Sequence, residues 1–223
     1  MSNIKALTIS SLLVLGQFVS ADHTIKHQKQ IDALNLKNYN SVMIVAHPDD
    51  ETIWGGNHLL KSKYLVVCIT NGDNKVRRKE FMSVMKATHN KGIMFDYPDK
   101  TNGERDNWNK VRTSISNDVH YILSKKKWKS VVTHNPDGEY GHIHHQMTSY
   151  IVRKQSNVDM KQLVYFGKYY KKKNLPKHLD HISKKDLNQK MKLVKLYGSQ
   201  YKVMDHLGHM LPHENFVKAK DWR

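Results

Sequence analysis

Two short clusters hold the side chains best suited to chemistry: Ala46-His47-Pro48-Asp49-Asp50-Glu51, and the stretch from His134 through Tyr140-Gly141-His142-Ile143-His144-His145. In the first, Pro48 suits an initial helical position, which would crowd Asp49, Asp50 and Glu51 at a helix N-terminus, where the dipole favours carboxylates. Helix stabilisation accounts for the acids but not for the imidazole beside them, whereas a metal site accounts for both. His47 and Asp50 stand at i and i+3, so their side chains can converge on one ion. Asp49 points differently and could stay unligated as a base. A catalytic zinc commonly takes three protein ligands, often two His and a carboxylate, with a position left for water. The second cluster can supply the missing His. With 15 His in the chain, three within four residues would also fit a solvated polar loop, so this cluster by itself is weak.

The elements that must position these clusters strengthen the metal reading. Residues 41–46 (SVMIVA) and 64–70 (YLVVCIT) are apolar, β-branched runs suited to buried parallel strands. Residues 93–97, 129–134 and 163–167 read as three more strands. Between them, helical spacing predicts helices over residues 51–60, 77–90, 108–125, 146–153 and 185–196; Val111, Ile115, Val119 and Ile122 make the clearest apolar stripe. A polar connector is expected over residues 22–38. Alternating strands and helices predict an α/β fold, a Rossmann-like, mostly parallel open sheet with helices on both faces. Ligands of such sheets sit beyond the carboxyl ends of the strands, and both clusters directly follow a strand.

Read in order, AHPDDE after the first strand, Thr70-Asn71-Gly72-Asp73 after the second, Arg77 and Glu80 at a helix start, YGHxxH after the fourth and Tyr197-Gly198-Ser199-Gln200 near the end resemble the LmbE-like, or PIG-L, zinc-dependent de-N-acetylases. The resemblance spans roughly residues 40–200. It implies that His47, Asp50 and His145 hold Zn(2+) and that Asp49 is the general base toward the attacking water. His142, if protonated, and Tyr140 would stabilise the oxyanion on the acetamide carbonyl, and Arg77, Asn71 and Asp73 would bind substrate. A surface ion pair of Arg77 with Glu80 is an equal reading of that residue. One departure stands out: many members read GHPDH where this chain reads Gly141-His142-Ile143-His144-His145, so His144 replaces an acid and could compete as a ligand. Cys68 lies inside an apolar strand pattern and reads as a small buried residue.

Composition bounds the rest. The 223 residues carry 37 Lys+Arg against 20 Asp+Glu, a formal charge of +17, and a single Cys. The length suits a domain with a core that needs no disulfides, and one Cys excludes an internal disulfide framework or a Cys-based zinc finger. Residues 1–21 read as a signal peptide cleaved before Asp22, with an uncleaved signal anchor as the rival; the catalytic domain is expected over residues 39–223. The protein would then be secreted or lumenal, or membrane-anchored. Removing residues 1–21 removes one Lys and no acid, so the basicity belongs to the mature domain, much of it between Lys168 and Lys195.

The expected activity is removal of the N-acetyl group from an N-acetylglucosamine-containing substrate, with GlcNAc-phosphatidylinositol the first reaction to try. The basic surface predicts an anionic amino-sugar substrate or association with a membrane surface, and no specific nucleic acid. Two rivals stand: a polyanion- or membrane-binding protein with a disused site on the same fold, and a zinc amidase for a different sugar conjugate.

Overall fold

A computed structural model describes residues 25–223. The expected signal segment, residues 1–21, lies outside them. Strands β1 (Ser41–Val45), β2 (Tyr64–Thr70), β3 (Lys91–Tyr97), β6 (Ser130–Thr133), β7 (Leu163–Phe166) and β8 (Phe216–Lys218) form one sheet in the order β3-β2-β1-β6-β7-β8. All neighbours run parallel except β8, which pairs antiparallel with β7. A short antiparallel hairpin, β4 (Lys100–Thr101) and β5 (Glu104–Arg105), follows β3.

Period-two alternation along the central strands splits their side chains between two cores. Val42, Ile44, Leu65 and Val67 face one side, where they meet Ile115, Val119 and Ile122 of α4 (Arg112–Ser124) and Ile151 and Val152 of α6 (Ile143–Arg153). Met43, Val45, Val66 and Cys68 face the other side. There they pack against Ile53 and Leu59 of α2 (Asp50–Lys61), Phe81, Val84 and Met85 of α3 (Lys75–Thr88), and Val194 of α7 (Lys184–Val194). Burial on both faces is why these strands read as near-continuous apolar runs. The expected Rossmann-like α/β architecture is the one observed.

The topology places the site. From β1 the chain builds β2 and β3 on one side, then crosses to β6 on the other side of β1. The loops leaving β1 and β6 therefore diverge, which opens a crevice at the carboxyl ends of two neighbouring strands. His47–Glu51 and His134–His145 sit on those two loops.

Several expectations are corrected. The polar connector is helical over residues 25–32 (α1), with His27 and Ile31 buried against the domain. The helix expected from residue 108 starts at Arg112, because Trp108 turns back with φ 54° and donates from Nε1 to the Pro98 carbonyl at 2.7 Å. The hairpin and β8 were not anticipated. Among the described residues, no helix is long and apolar enough to cross a membrane.

Candidate active site

The chain leaves β1 at Ala46 and folds sharply, so that the His47 amide donates to Asp50 Oδ2 at 2.8 Å. Asp49 caps α2 with φ 127°, a left-handed conformation that is strained for any residue but glycine and that gathers at functional sites. The turn separates the two carboxylates, as their spacing suggested. Asp50 faces the imidazoles, whereas Asp49 faces Arg77, with Asp49 Oδ2 at 3.1 Å from a guanidinium nitrogen that also donates to the Pro48 carbonyl.

On the other loop, Glu139 (φ 55°) and the single turn α5 (Gly138–Gly141) lead into α6, with Gly141 at φ 88° making the reversal before His142. One Glu139 oxygen lies 2.6 Å from His145 Nδ1 and 2.9 Å from His134 Nδ1, while His134 Nε2 accepts the Ala46 amide at 3.0 Å. The carboxylate can only accept, so His145 carries its proton on Nδ1 and presents a bare Nε2.

Four atoms of three residues then meet. His47 Nδ1 lies 3.3 Å from Asp50 Oδ2, His145 Nε2 lies 3.3 Å from Asp50 Oδ1, and the two nitrogens are 3.3 Å apart. For metal–ligand bonds of roughly 2.0–2.1 Å, the edge of a tetrahedron is about 3.3–3.4 Å. Each of these separations matches that edge, with a different Asp50 oxygen turned toward each nitrogen, and the donor types suit a divalent ion. Burial pulls both imidazoles toward neutrality, but Asp50 together with Asp99 at His47 and with Glu139 at His145 outweighs it and raises both, so the pocket favours positive charge at this point. Asp50 itself is held well below the usual carboxylate range: burial opposes ionisation, and the neighbouring His145 and His134 rings prevail. Three overlapping groups, His47/His142/His145, His47/Asp99/His144 and Asp50/His134/His145, are also compact enough to surround an ion.

Asp49 is pushed up to about 8, first by burial and then by the charge of Asp50, against the opposing pull of Arg77 and His47. A carboxylate raised this far is a stronger base than a free one, and in its ionised form, beside a candidate metal position, it can take a proton from water. Glu51 supports the loop from behind: it accepts the Tyr197 hydroxyl at 2.6 Å, the Thr52 hydroxyl at 2.7 Å and the Asp49 amide at 3.1 Å. Glu80 accepts Ser199 Oγ and the Ser199 amide, both at 2.7 Å. The sequence-distant motifs thus interlock around one crevice.

That crevice, about 340 Å³, is lined by His47, Asp49, Asp50, Asn71, Arg77 and His142 among others. Tyr140 also lines it, its ring 5.5 Å from that of His145; burial and the nearby carboxylates raise its hydroxyl, which stays a neutral donor. His142 is pushed down to about 2 by burial and by the neighbouring imidazoles, so it stands neutral. Its Nδ1 accepts the His144 amide at 3.2 Å as the cap of α6, which leaves the ring proton on Nε2. The expectation that His142 would act as an imidazolium is therefore replaced by a neutral donor.

Arg77 lines the crevice, but its guanidinium is engaged by Asp49, by the Pro48 carbonyl and, at 3.5 Å, by Glu80. Arg77 is thus buried, unlike the surface residue of the rival reading, though near Glu80 as that reading expected, and its main contact is with the expected base. Asn71 (φ 64°) lines the crevice, whereas Asp73 lines a neighbouring groove with Asp96 and Asp99 and is not among the crevice residues. Cys68 is buried in β2 and its thiol is pushed well up by burial, as its apolar setting predicted.

The sequence placed His134 and Glu139 in the second cluster without a role, and gave no functional signal for Asp99 or Trp108. Glu139 lay inside the second cluster, but nothing in a sequence marks its left-handed backbone. Asp99 precedes the β4–β5 hairpin, and the Asn102-Gly103 turn that announces that hairpin was legible.

The sequence profile of the family described as PIG-L, GlcNAc-PI de-N-acetylase, matches residues 42–156, a stretch that runs from β1 through both clusters. The chain is also similar to an uncharacterized protein of Acanthamoeba polyphaga mimivirus, 30% identical over 227 residues, covering 94% of this chain and 91% of the relative.

Proposed function

The chain belongs to the PIG-L family, and from that premise we propose that it is a zinc-dependent hydrolase removing the acetyl group from an N-acetylglucosamine-containing substrate. The observation that carries this reading is the set of 3.3 Å separations among His47 Nδ1, His145 Nε2 and the two carboxylate oxygens of Asp50, with the carboxylate of Asp49 next to it. Zinc held by these three would supply a Lewis acid that polarises the acetamide carbonyl and acidifies water.

The remaining roles fall to the chain itself. Asp49, fixed by Arg77, takes the proton of the attacking water and can return it to the leaving amine. The neutral His142, through Nε2–H, and the Tyr140 hydroxyl are donors toward the carbonyl oxygen, where negative charge develops. Arg77 and Asn71 border the space left for the sugar. Substrate charge has a candidate partner too. A second cleft of about 620 Å³ adjoins the crevice at Tyr140 and carries Lys171, Lys172, Lys173, His206 and His209 against Asp205. This surface supports an anionic aglycone such as a phosphoinositol, with a membrane surface as an alternative source of the same charge.

The test is to measure bound metal in the purified protein and acetate released from a panel of N-acetylglucosaminides, with and without Asp49→Ala. The reading expects zinc, acetate release and its loss in the variant. A protein that binds no metal, or activity indifferent to Asp49→Ala, would sink it, and the former would favour a binding protein on the same fold.

A further inference from the structure

We propose that His144 is a positioning residue for the metal site: backed by the Asp106 carbonyl, it holds the His47 ring in the tautomer that leaves Nδ1 bare for the ion. The inference rests on the metal reading given above. It concerns the position where this chain has a His in place of the acid of the GHPDH pattern.

The chain of donors starts at a group that can only accept. The Asp106 carbonyl oxygen lies 2.6 Å from His144 Nε2, so that nitrogen carries a proton. The other nitrogen of the neutral ring, Nδ1, must then accept, and it lies 3.0 Å from His47 Nε2. His47 is thereby protonated on Nε2, and its Nδ1 turns a lone pair toward Asp50 and His145. Asp99 backs the same donor, with Oδ1 at 3.4 Å from His47 Nε2 and 3.7 Å from His144 Nδ1.

The relay is held rigidly. His144 is fully buried and stacks on Trp108, ring centroids 4.1 Å apart and planes within 8°. The indole is pinned by its Nε1–H to Pro98, and the Trp108 amide donates to Asp106 Oδ1 at 2.6 Å, tying the platform to the residue whose carbonyl starts the relay. His145 is oriented in the parallel manner by Glu139. Each of the two ligand imidazoles therefore has its own acceptor on the far nitrogen, a pattern that fixes tautomer and raises ligand basicity.

The same atoms admit a rival, in which Asp99, His47 Nε2 and His144 Nδ1 hold an ion of their own. With His47 also serving the first site, its ring would have to shed both protons. The relay needs no such loss, and it satisfies every nitrogen.

The experiment uses the full-length protein stripped of metal by chelation, with zinc as the probe. Zinc affinity and stoichiometry are read by competition with a chromophoric chelator, and the tautomer of His47 by imidazole nitrogen NMR, for wild type, His144→Ala and His144→Asp. Expected are one zinc per chain in wild type, a proton on His47 Nε2, and an affinity about 10–100-fold weaker in His144→Ala. His144→Asp should recover most of it, because a carboxylate accepts the same proton. Melting curves check that the variants are folded; should His144→Ala fail to fold, His144→Leu, which fills the space but offers no acceptor, takes its place in the comparison with His144→Asp. The proposal falls if His144→Ala keeps wild-type affinity or if His47 carries its proton on Nδ1. It falls equally if wild type binds two zinc ions and His144→Ala one. A wild type that binds no zinc at all sinks the metal reading itself, a distinct outcome.

Discussion

One oxygen of Glu139 serves two imidazoles, lying 2.6 Å from His145 Nδ1 and 2.9 Å from His134 Nδ1. Its partner oxygen accepts the Asn135 amide at 3.0 Å, so the carboxylate ties the end of β6 to the start of α6. Burial opposes its ionisation, yet the neighbouring His134 and the two imidazole hydrogen bonds hold it down at about 2. Glu139 is thus ionised across the working pH range and fixes the ring that the zinc reading uses as a ligand.

Glu139→Gln should lower metal affinity about 10–100-fold. The amide keeps the volume, but it gives the two rings one acceptor and one competing N–H where they had an anion. Chelator competition measures the loss. An unchanged affinity would mean that His145 needs no orienting partner.

The fold was legible because its strands are buried on both faces, so residues 41–45 and 64–70 show as unbroken apolar runs and the turns between them carry Pro, Gly and Asn. The two clusters were legible because the chemistry needs His and carboxylates at a strand end, and few structural roles require both. What stayed hidden depends on contacts across long sequence separations. His27 looked like part of a polar connector, yet it is buried between Asp96 and Asp118. The role of His144 is set by a carbonyl 38 residues away, which no local pattern encodes. The protonation of His142 turns on how it caps α6, a matter of backbone geometry.

Asp49→Asn should cut the hydrolysis rate about 10²–10⁴-fold while zinc content stays at the wild-type level, since Asp49 faces Arg77 and not the triangle of ligands. Arg77→Met gives the complementary result. Arg77 lowers the affinity of Asp49 for its proton, so removing the guanidinium should move the acid limb of the kcat/KM profile to higher pH. An acid limb that stays in place would separate Asp49 from the proton transfer.

His27 predicts a pH-dependent anchor for α1. Its Nδ1 is 2.6 Å from Asp118 and its Nε2 2.6 Å from Asp96; burial favours the neutral ring, but these bonds prevail and raise its pKa. A raised folded value means the stabilisation is complete below the unfolded value of about 6.5 and is lost as pH rises through the folded value. The melting temperature of wild type should therefore exceed that of His27→Gln most at pH 5–6, roughly, and the gap should narrow on the alkaline side of 6.5. A gap constant across that range would show that His27 acts by packing alone.

The buried Lys190 makes the sharpest stability prediction. It is fully buried, and its Nζ donates to the Ile53 carbonyl at 2.7 Å, to the Leu211 carbonyl at 2.9 Å and to Glu214 at 3.0 Å. Glu214 in turn accepts the backbone amides of Asn57 and His58 within α2. The ion pair therefore binds α7 and the segment before β8 to α2, the helix that Asp49 caps. Lys190→Met strands an uncompensated carboxylate and should cost about 3–5 kcal/mol, because removing one partner of a buried pair leaves the other desolvated and unpaired. Adding Glu214→Gln removes that charge while keeping an acceptor for the two amides, so the double variant should be more stable than Lys190→Met alone. Urea denaturation of the three proteins measures both differences. A Lys190→Met protein as stable as wild type, or a double variant no better than the single one, would mean that the pair contributes little to holding α7 against α2.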